Sequence, residues 1–232
     1  MSRQLGLQER FLLAVGLLSA TTIFLLFVRV LLSGTTRYWF IPENLLLAWI
    51  SLFLAWLLCK ELKNRRWLSW QNLGLTFLWL IFMPNTWYVL TDFVHIYPNG
   101  EVSQIFDIVL MCLLVITAFV LGFCSLFLIH RQLLQRLKPL KSYGLIELAI
   151  LISSFAVYLG RDLRWNSWDV IKNPAGVIVN VSDRIVDPFG SPRALNVTLL
   201  FFVLISSVYT AFWIFSYPSP RTAPKKSGKA RL

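Results

Sequence analysis

The sequence predicts an all-α fold, a polytopic membrane bundle of about six transmembrane helices forming one domain, and three features predict it. Apolar residues fill 57% of the 232 positions and charged residues only 14%, against about 25% charged in soluble domains. The apolar residues gather into six segments near the roughly 20 residues that cross a hydrocarbon core of about 30 Å. Most Lys and Arg residues fall between those segments, so the net charge of +11 orients the bundle and meets anionic lipid at the cytoplasmic face. No nucleic-acid motif accompanies the charge, so the expected partners are membrane lipids and not nucleic acid.

Residues 11–32 form the first span, whose 22 mostly apolar residues exceed the roughly 7 to 15 residue core of a signal peptide. Arg29, near its outer end, is expected to snorkel to the interface. The second span is 40–59, with Pro42 in the first turn, where a missing amide hydrogen does no harm. The third is 68–90, and its continuous apolar run stops at Met83. From Trp70 to Pro84 a helix rises only about 21 Å, so Pro84 lies inside the outer leaflet and breaks the helix there. The fourth span is 105–129. The fifth, 143–160, carries Arg161 about 30 Å beyond Lys141 to the opposite interface. The sixth is 194–217, and a basic tail over 218–232 is expected to be disordered and cytoplasmic. Cys59, Cys112 and Cys124 sit in apolar stretches without metal-ligand spacing and read as small apolar fillers.

Sidedness follows from the cations. Spans two and three are joined by four (Lys60, Lys63, Arg65, Arg66), spans four and five by four (Arg131, Arg136, Lys138, Lys141), and the tail holds five, whereas spans three and four are joined by none. Both termini are therefore expected in the cytoplasm. In the long connection before the last span, Asn173-Pro174 reads as a helix start, with Ile178, Val181, Ile185 and Phe189 near one face. That pattern fits a short helix lying in the outer interface, or a loop packed over the bundle.

Two runs of polar and aromatic residues close apolar segments on the outer side: Pro84 to Tyr88 with Thr91 to His95, and Gly160 to Asp169. Polar groups at such depth cost free energy unless paired or wet, which marks them as a candidate site. On a continuous helix Asn85, Tyr88, Asp92 and His95 share one face. Asp92 and His95 could ligate a metal with Asp107 or Asp169 completing the shell, act as a base with its orienting partner, or pair to cap the broken helix. Arg161 and Arg164 could clamp a phosphate or carboxylate, or neutralise Asp92, Asp107 and Asp169 across the bundle. Asn166 and Asp169 lie on a polar stripe of the second run, while Trp165 and Trp168 read as interfacial anchors. Glu147, near the cytoplasmic start of the fifth span, is either a relay or the partner of Lys141 or Lys138, and its shallow depth favours pairing.

Pro84-Asn85, Tyr88, Thr91-Asp92 and His95, together with Tyr158 to Arg161 and Leu163 to Asp169, resemble the domain of unknown function 1361 family of bacterial integral membrane proteins. The spacing and six-span layout match over nearly the whole chain. That family often has Ala-Pro where this chain has Thr86-Trp87, and an apolar residue in place of Asp162, which argues against Asp162 as an essential ligand. The resemblance implies a multi-pass protein of the bacterial inner membrane and supplies no activity and no cofactor.

The expected site is an outward-facing polar pocket between spans three and five. Asp92, His95 and Asp169 form its acidic side, Arg161 and Arg164 its basic side, and Asn85 and Tyr88 its floor. A binding or accessory component of an envelope assembly is the first reading. A membrane-embedded enzyme acting on a lipid-linked or phosphorylated substrate is the second. A small transporter is the third, favoured by the broken helix and disfavoured by the scarcity of polar residues across the inner leaflet.

Overall fold

A computed structural model describes residues 6–98, 100–165, 167–186 and 190–216. Asn166, Phe189 and the basic tail lie outside the described residues. The elements are α1 (Leu7–Ser33), α2 (Phe40–Glu61), α3 (Trp70–Phe82), α4 (Asn85–Tyr88), a 3-10 segment (Val89–His95), α5 (Gln104–Leu134), α6 (Pro139–Asp162), α7 (Asp169–Lys172), α8 (Pro174–Val186) and α9 (Pro192–Ser216). Six stretches are long and apolar enough to cross a membrane: α1, α2, α3 continued through the 3-10 segment, α5, α6 and α9. This is the make-up of a multi-pass membrane protein.

Local chemistry sets the helix ends. Gly34 follows α1 at φ +66°, and its amide donates to the Val30 carbonyl at 2.8 Å, the left-handed cap that glycine adopts without a Cβ penalty. Pro139 and Pro192 open α6 and α9, where proline's fixed φ is already helical. α5 continues past Ile129 to Leu134 and takes in His130 and Arg131, and α6 begins at Pro139 rather than Tyr143. Charge alone does not stop a helix. Proline pushes the preceding residue into extended backbone, and Lys138 has ψ 146°.

The third span is broken at Pro84. Met83 and Pro84 keep right-handed helical dihedrals, so the break lies in the hydrogen-bond ladder, which proline's missing N–H interrupts. Four α-helical residues follow, then seven of 3-10 helix, a run longer than the usual three or four residues.

α5 is the central helix, packed against α1, α2, α4, α6 and α9. One apolar cluster gathers Trp79, Trp87, Phe123 and Tyr209, and a second gathers Tyr38, Val89, Leu110 and Met111. Polar side chains also join the spans: Trp79 Nε1 donates to Ser125 Oγ at 2.6 Å. Around this core Leu13, Leu17, Phe24, Leu200 and Phe215 point outward, the apolar coat expected of a bundle in lipid.

Candidate functional site

The two polar runs meet at the end of the bundle remote from the basic turns after α2 and α5. Asn85 Nδ2 donates to Ser167 Oγ at 2.8 Å and to the Phe82 carbonyl at 2.9 Å, and Ser167 Oγ donates to the Ile81 carbonyl at 3.1 Å. These carbonyls flank the proline break, and the Thr86 amide bonds Met83 rather than Phe82. In hydrocarbon, backbone groups released by such a break need donors, and one polar side chain from each run supplies them. The Trp168 ring meets Phe82 edge-on at 5.2 Å. Tyr88 packs on Gly160, where an added Cβ would stand 3.3 Å from Cε2 of the ring.

The stripe expected from a continuous helix divides. Asn85 and Tyr88 face the second run, but Asp92 turns toward α2. Its carboxylate is 3% exposed and accepts from Asn44 Nδ2 at 2.7 Å. The physical reason is the tighter 3-10 winding, about 120° per residue against about 100°, which over four residues rotates Asp92 by roughly 80°. His95 follows Asp92 by one 3-10 turn. It is exposed, its ring 5.3 Å from that of Phe40, and its carbonyl accepts from Arg37 Nη2 at 2.8 Å and from the Tyr38 hydroxyl at 3.4 Å.

Arg161, in the last turn of α6, is half-buried and its charge acts on both Asp92 and His95. It forms no ion pair and no hydrogen bond with the described residues, and neither does the exposed Arg164. Arg164 adopts φ +57°, a backbone region that non-glycine residues enter at a cost. Asp162 pairs with Arg193 and so ties α6 to the start of α9. Asp169 is half-buried at the start of α7, and Asn166 lies outside the described residues. Above this end α8 is held by Arg184 Nε, which donates to the Tyr158 hydroxyl at 3.3 Å.

Two expectations are corrected by Arg29. It does not snorkel to the interface: it is wholly buried. Its Nε stands 3.0 Å from Asp107 Oδ1 and its Nη2 2.9 Å from Glu101 Oε2, while Nη1 donates to Thr35 Oγ1 at 3.0 Å and to Ser33 Oγ at 3.2 Å. The guanidinium also lies over the Tyr38 ring, 4.3 Å from its centroid. Asp107 is therefore neutralised by Arg29 rather than by Arg161 or Arg164. Its second oxygen accepts from the Tyr38 hydroxyl at 2.8 Å. Burial first, then that bond, pushes the Tyr38 phenol up to about 12, which keeps it a donor at neutral pH.

Asp107 is thus committed elsewhere and does not complete a shell around Asp92 and His95. Among the described residues no three His, Cys, Asp or Glu side chains gather as metal ligands. Two apolar cavities lie away from the polar runs, one of about 720 Å³ along α9 at Leu199 and Val203, the other of about 370 Å³ between α3, α5 and α6 at Trp79 and Ile146. Asn44, Arg37, Tyr38 and Ser167 entered the site unsingled by sequence reasoning. For Asn44 a signal existed, an amide beside Glu43 one turn into a span that is apolar from Leu45 to Ile50.

No curated protein and no solved structure matches the chain. Residues 43–218 match the family described as Protein of unknown function (DUF1361), a stretch that holds both polar runs and well over half of the chain. With the six apolar helices, this match establishes that the chain belongs to the DUF1361 family.

Proposed function

We propose that this is a multi-pass protein of the bacterial inner membrane, termini in the cytoplasm, whose extracytoplasmic face binds an anionic group as a binding or accessory component of an envelope assembly. One observation carries the reading: Arg161 and Arg164, three residues apart in the second run, form no ion pair and no hydrogen bond with the described residues, and Arg161 is half-buried. An unpaired cation sheltered from water is costly, and an arginine fork matches phosphate or carboxylate oxygens. The Asn85–Ser167 bond and the Tyr88–Gly160 contact tie the run that carries both arginines to the third span. The residues 84–88, Asp92, His95 and Asp169 frame the same end, and Asn166 belongs to the same run.

A second reading, an enzyme acting on a lipid-linked or phosphorylated substrate, is favoured by Asp92. A buried carboxylate held by Asn44 and within the field of Arg161 is placed to act as a base beside a bound anion, with His95 one turn away.

Mass spectrometry of lipids and ligands co-purified with the protein tests both readings. The wild type is expected to carry a phosphate- or carboxylate-bearing species that falls by more than about tenfold in Arg161→Ala/Arg164→Ala, the loss of charge-assisted hydrogen bonds worth roughly 1.5–3 kcal/mol each. Asp92→Asn keeps the species bound in the binding reading and accumulates it as unturned substrate in the enzyme reading. An identical complement in wild type and double variant contradicts both.

A further inference from the structure

Toward the end of the bundle where the basic turns lie, α3 and α6 flank an apolar groove of about 370 Å³, large enough for a small-molecule ligand. Trp79, Ile129 and Ile146 are buried at its floor, and Leu145, Leu148 and Ile152 of α6 stand exposed along its open edge. The polar lining is satisfied internally: Trp67 Nε1 donates to Thr76 Oγ1 at 3.2 Å, and Thr76 Oγ1 donates to the Asn72 carbonyl at 2.7 Å. One charged side chain lines the groove, Arg136, in the turn that follows α5.

Arg136 meets neutral acceptors. Its Nη1 donates to the carbonyl and to Oε1 of Gln132, both at 2.8 Å, and its Nη2 to the Leu62 carbonyl at 2.9 Å. Among the described residues no ion pair cancels its charge. α6 adds a second cation at the same end: Lys141, Leu145, Leu148 and Ile152 recur at helical spacing and form one stripe. That stripe rises about 16 Å, the depth of one leaflet of a hydrocarbon core about 30 Å thick. The pairing expected between Glu147 and Lys141 or Lys138 does not form. Lys141 precedes Glu147 by six residues and points about 120° away, and Lys138, nine residues back, points to the opposite side.

We propose that this groove binds an anionic phospholipid of the leaflet at the basic end, with one acyl chain along α6 and the headgroup phosphate on Arg136 and Lys141. The charge fits: cations at the mouth of an apolar cleft between spans favour an anionic headgroup, and a guanidinium bonds phosphate oxygens more strongly than neutral ones. The length fits as well, since the apolar stripe and its terminal cation match one leaflet. A zwitterionic lipid leaves both cations unbalanced. The chain's own tail, residues 217–232, carries five cations and no Asp or Glu, so like charge opposes its entry. The inference is independent of the anion site at the opposite end.

Photolabelling of the full chain in phosphatidylcholine bilayers tests it. The probe is a trace of phosphatidylglycerol, or of phosphatidylcholine, with a diazirine in one acyl chain, and the labelled peptides are mapped. α1, whose Leu17 and Phe24 point outward, reports contact with the bulk bilayer. Relative to α1, the phosphatidylglycerol probe is expected to label the groove walls, residues 76–80 and 145–152, roughly fivefold more than the phosphatidylcholine probe, the ratio that one cation near the membrane surface supplies. Lys141→Gln, which removes no contact within the described fold, is expected to lower that preference, and adding Arg136→Gln to abolish it. Equal labelling by the two probes overturns the proposal, because the groove is then ordinary lipid-facing surface. A preference that survives both substitutions also overturns it. So does an unlabelled groove beside a labelled α1, because protein, either the tail or a second copy, then covers it.

Discussion

Replacing Arg29 by Met lowers the stability of the bundle by about 3–5 kcal/mol, the usual result of removing one partner from a buried ion pair. The size follows from what remains behind. Asp107 is 2% exposed and loses the cation that pairs with it, Glu101 loses a 2.9 Å contact, and the hydroxyls of Ser33 and Thr35 lose their donor. The guanidinium joins α1 to the start of α5, and its five donors in one plane serve four acceptors, Ser33, Thr35, Glu101 and Asp107. Lysine has no such fork, so Arg29→Lys restores only part of the loss. Unfolding in mixed detergent micelles measures both variants. Adding Asp107→Asn and Glu101→Gln to Arg29→Met recovers much of the deficit, because the stranded negative charges are gone. An Arg29→Met variant as stable as wild type would mean that these carboxylates reach water.

Gly122→Ala destabilises by about 1–3 kcal/mol, the range for overpacking a filled core, even though alanine is the better helix former by about 1 kcal/mol. A Cβ at this position would meet Thr86 Oγ1 at 2.5 Å, Trp87 Cη2 at 2.7 Å and Thr86 Cβ at 2.8 Å. None of these can yield cheaply. Thr86 Oγ1 is held by the Met83 carbonyl at 2.7 Å, and Trp87 is wholly buried against Phe119 and Phe123. The accommodation is a shift of the short helix α4, which carries Asn85 and Tyr88 away from Ser167 and Gly160. Gly74→Ala and Gly144→Ala give the opposite sign: nothing lies within 4 Å of either added Cβ, so each gains up to about 1 kcal/mol. The same unfolding assay reads all three, and a stabilised Gly122→Ala would show that α4 is not docked as described.

The fold was legible because it rests on local quantities. Segment length, apolar content and proline position are read directly from the chain, and they place six long helices and the interruption at Pro84. Asn85 and the second run were visible as polar groups at depth, and the need to repair a broken backbone in lipid explains why Asn85 and Ser167 meet. Partner choice was less legible. Arg29 looked like an interfacial residue because one helix shows only its distance from an end, not what a helix seventy residues later places beside it. The bond from Asn44 to Asp92 is not legible, because an α-helical wheel does not anticipate a change to 3-10 winding. A fifth span starting at Tyr143 makes Glu147 shallow, but α6 starts four residues earlier, and His130 belongs to α5 because that helix runs on to Leu134. In each case the missing information was a tertiary contact or a helix boundary that charge does not mark.

The account turns on the two polar runs sharing one extracytoplasmic face, and cysteine accessibility in intact cells tests that most directly. In a background lacking Cys59, Cys112 and Cys124, cysteines replace the exposed residues His95, Arg164 and Lys63 one at a time. A membrane-impermeant maleimide is predicted to modify His95→Cys and Arg164→Cys in intact cells, and Lys63→Cys only after permeabilisation. Modification of His95→Cys and Arg164→Cys from opposite sides, or of Lys63→Cys from the same side as both, would contradict it.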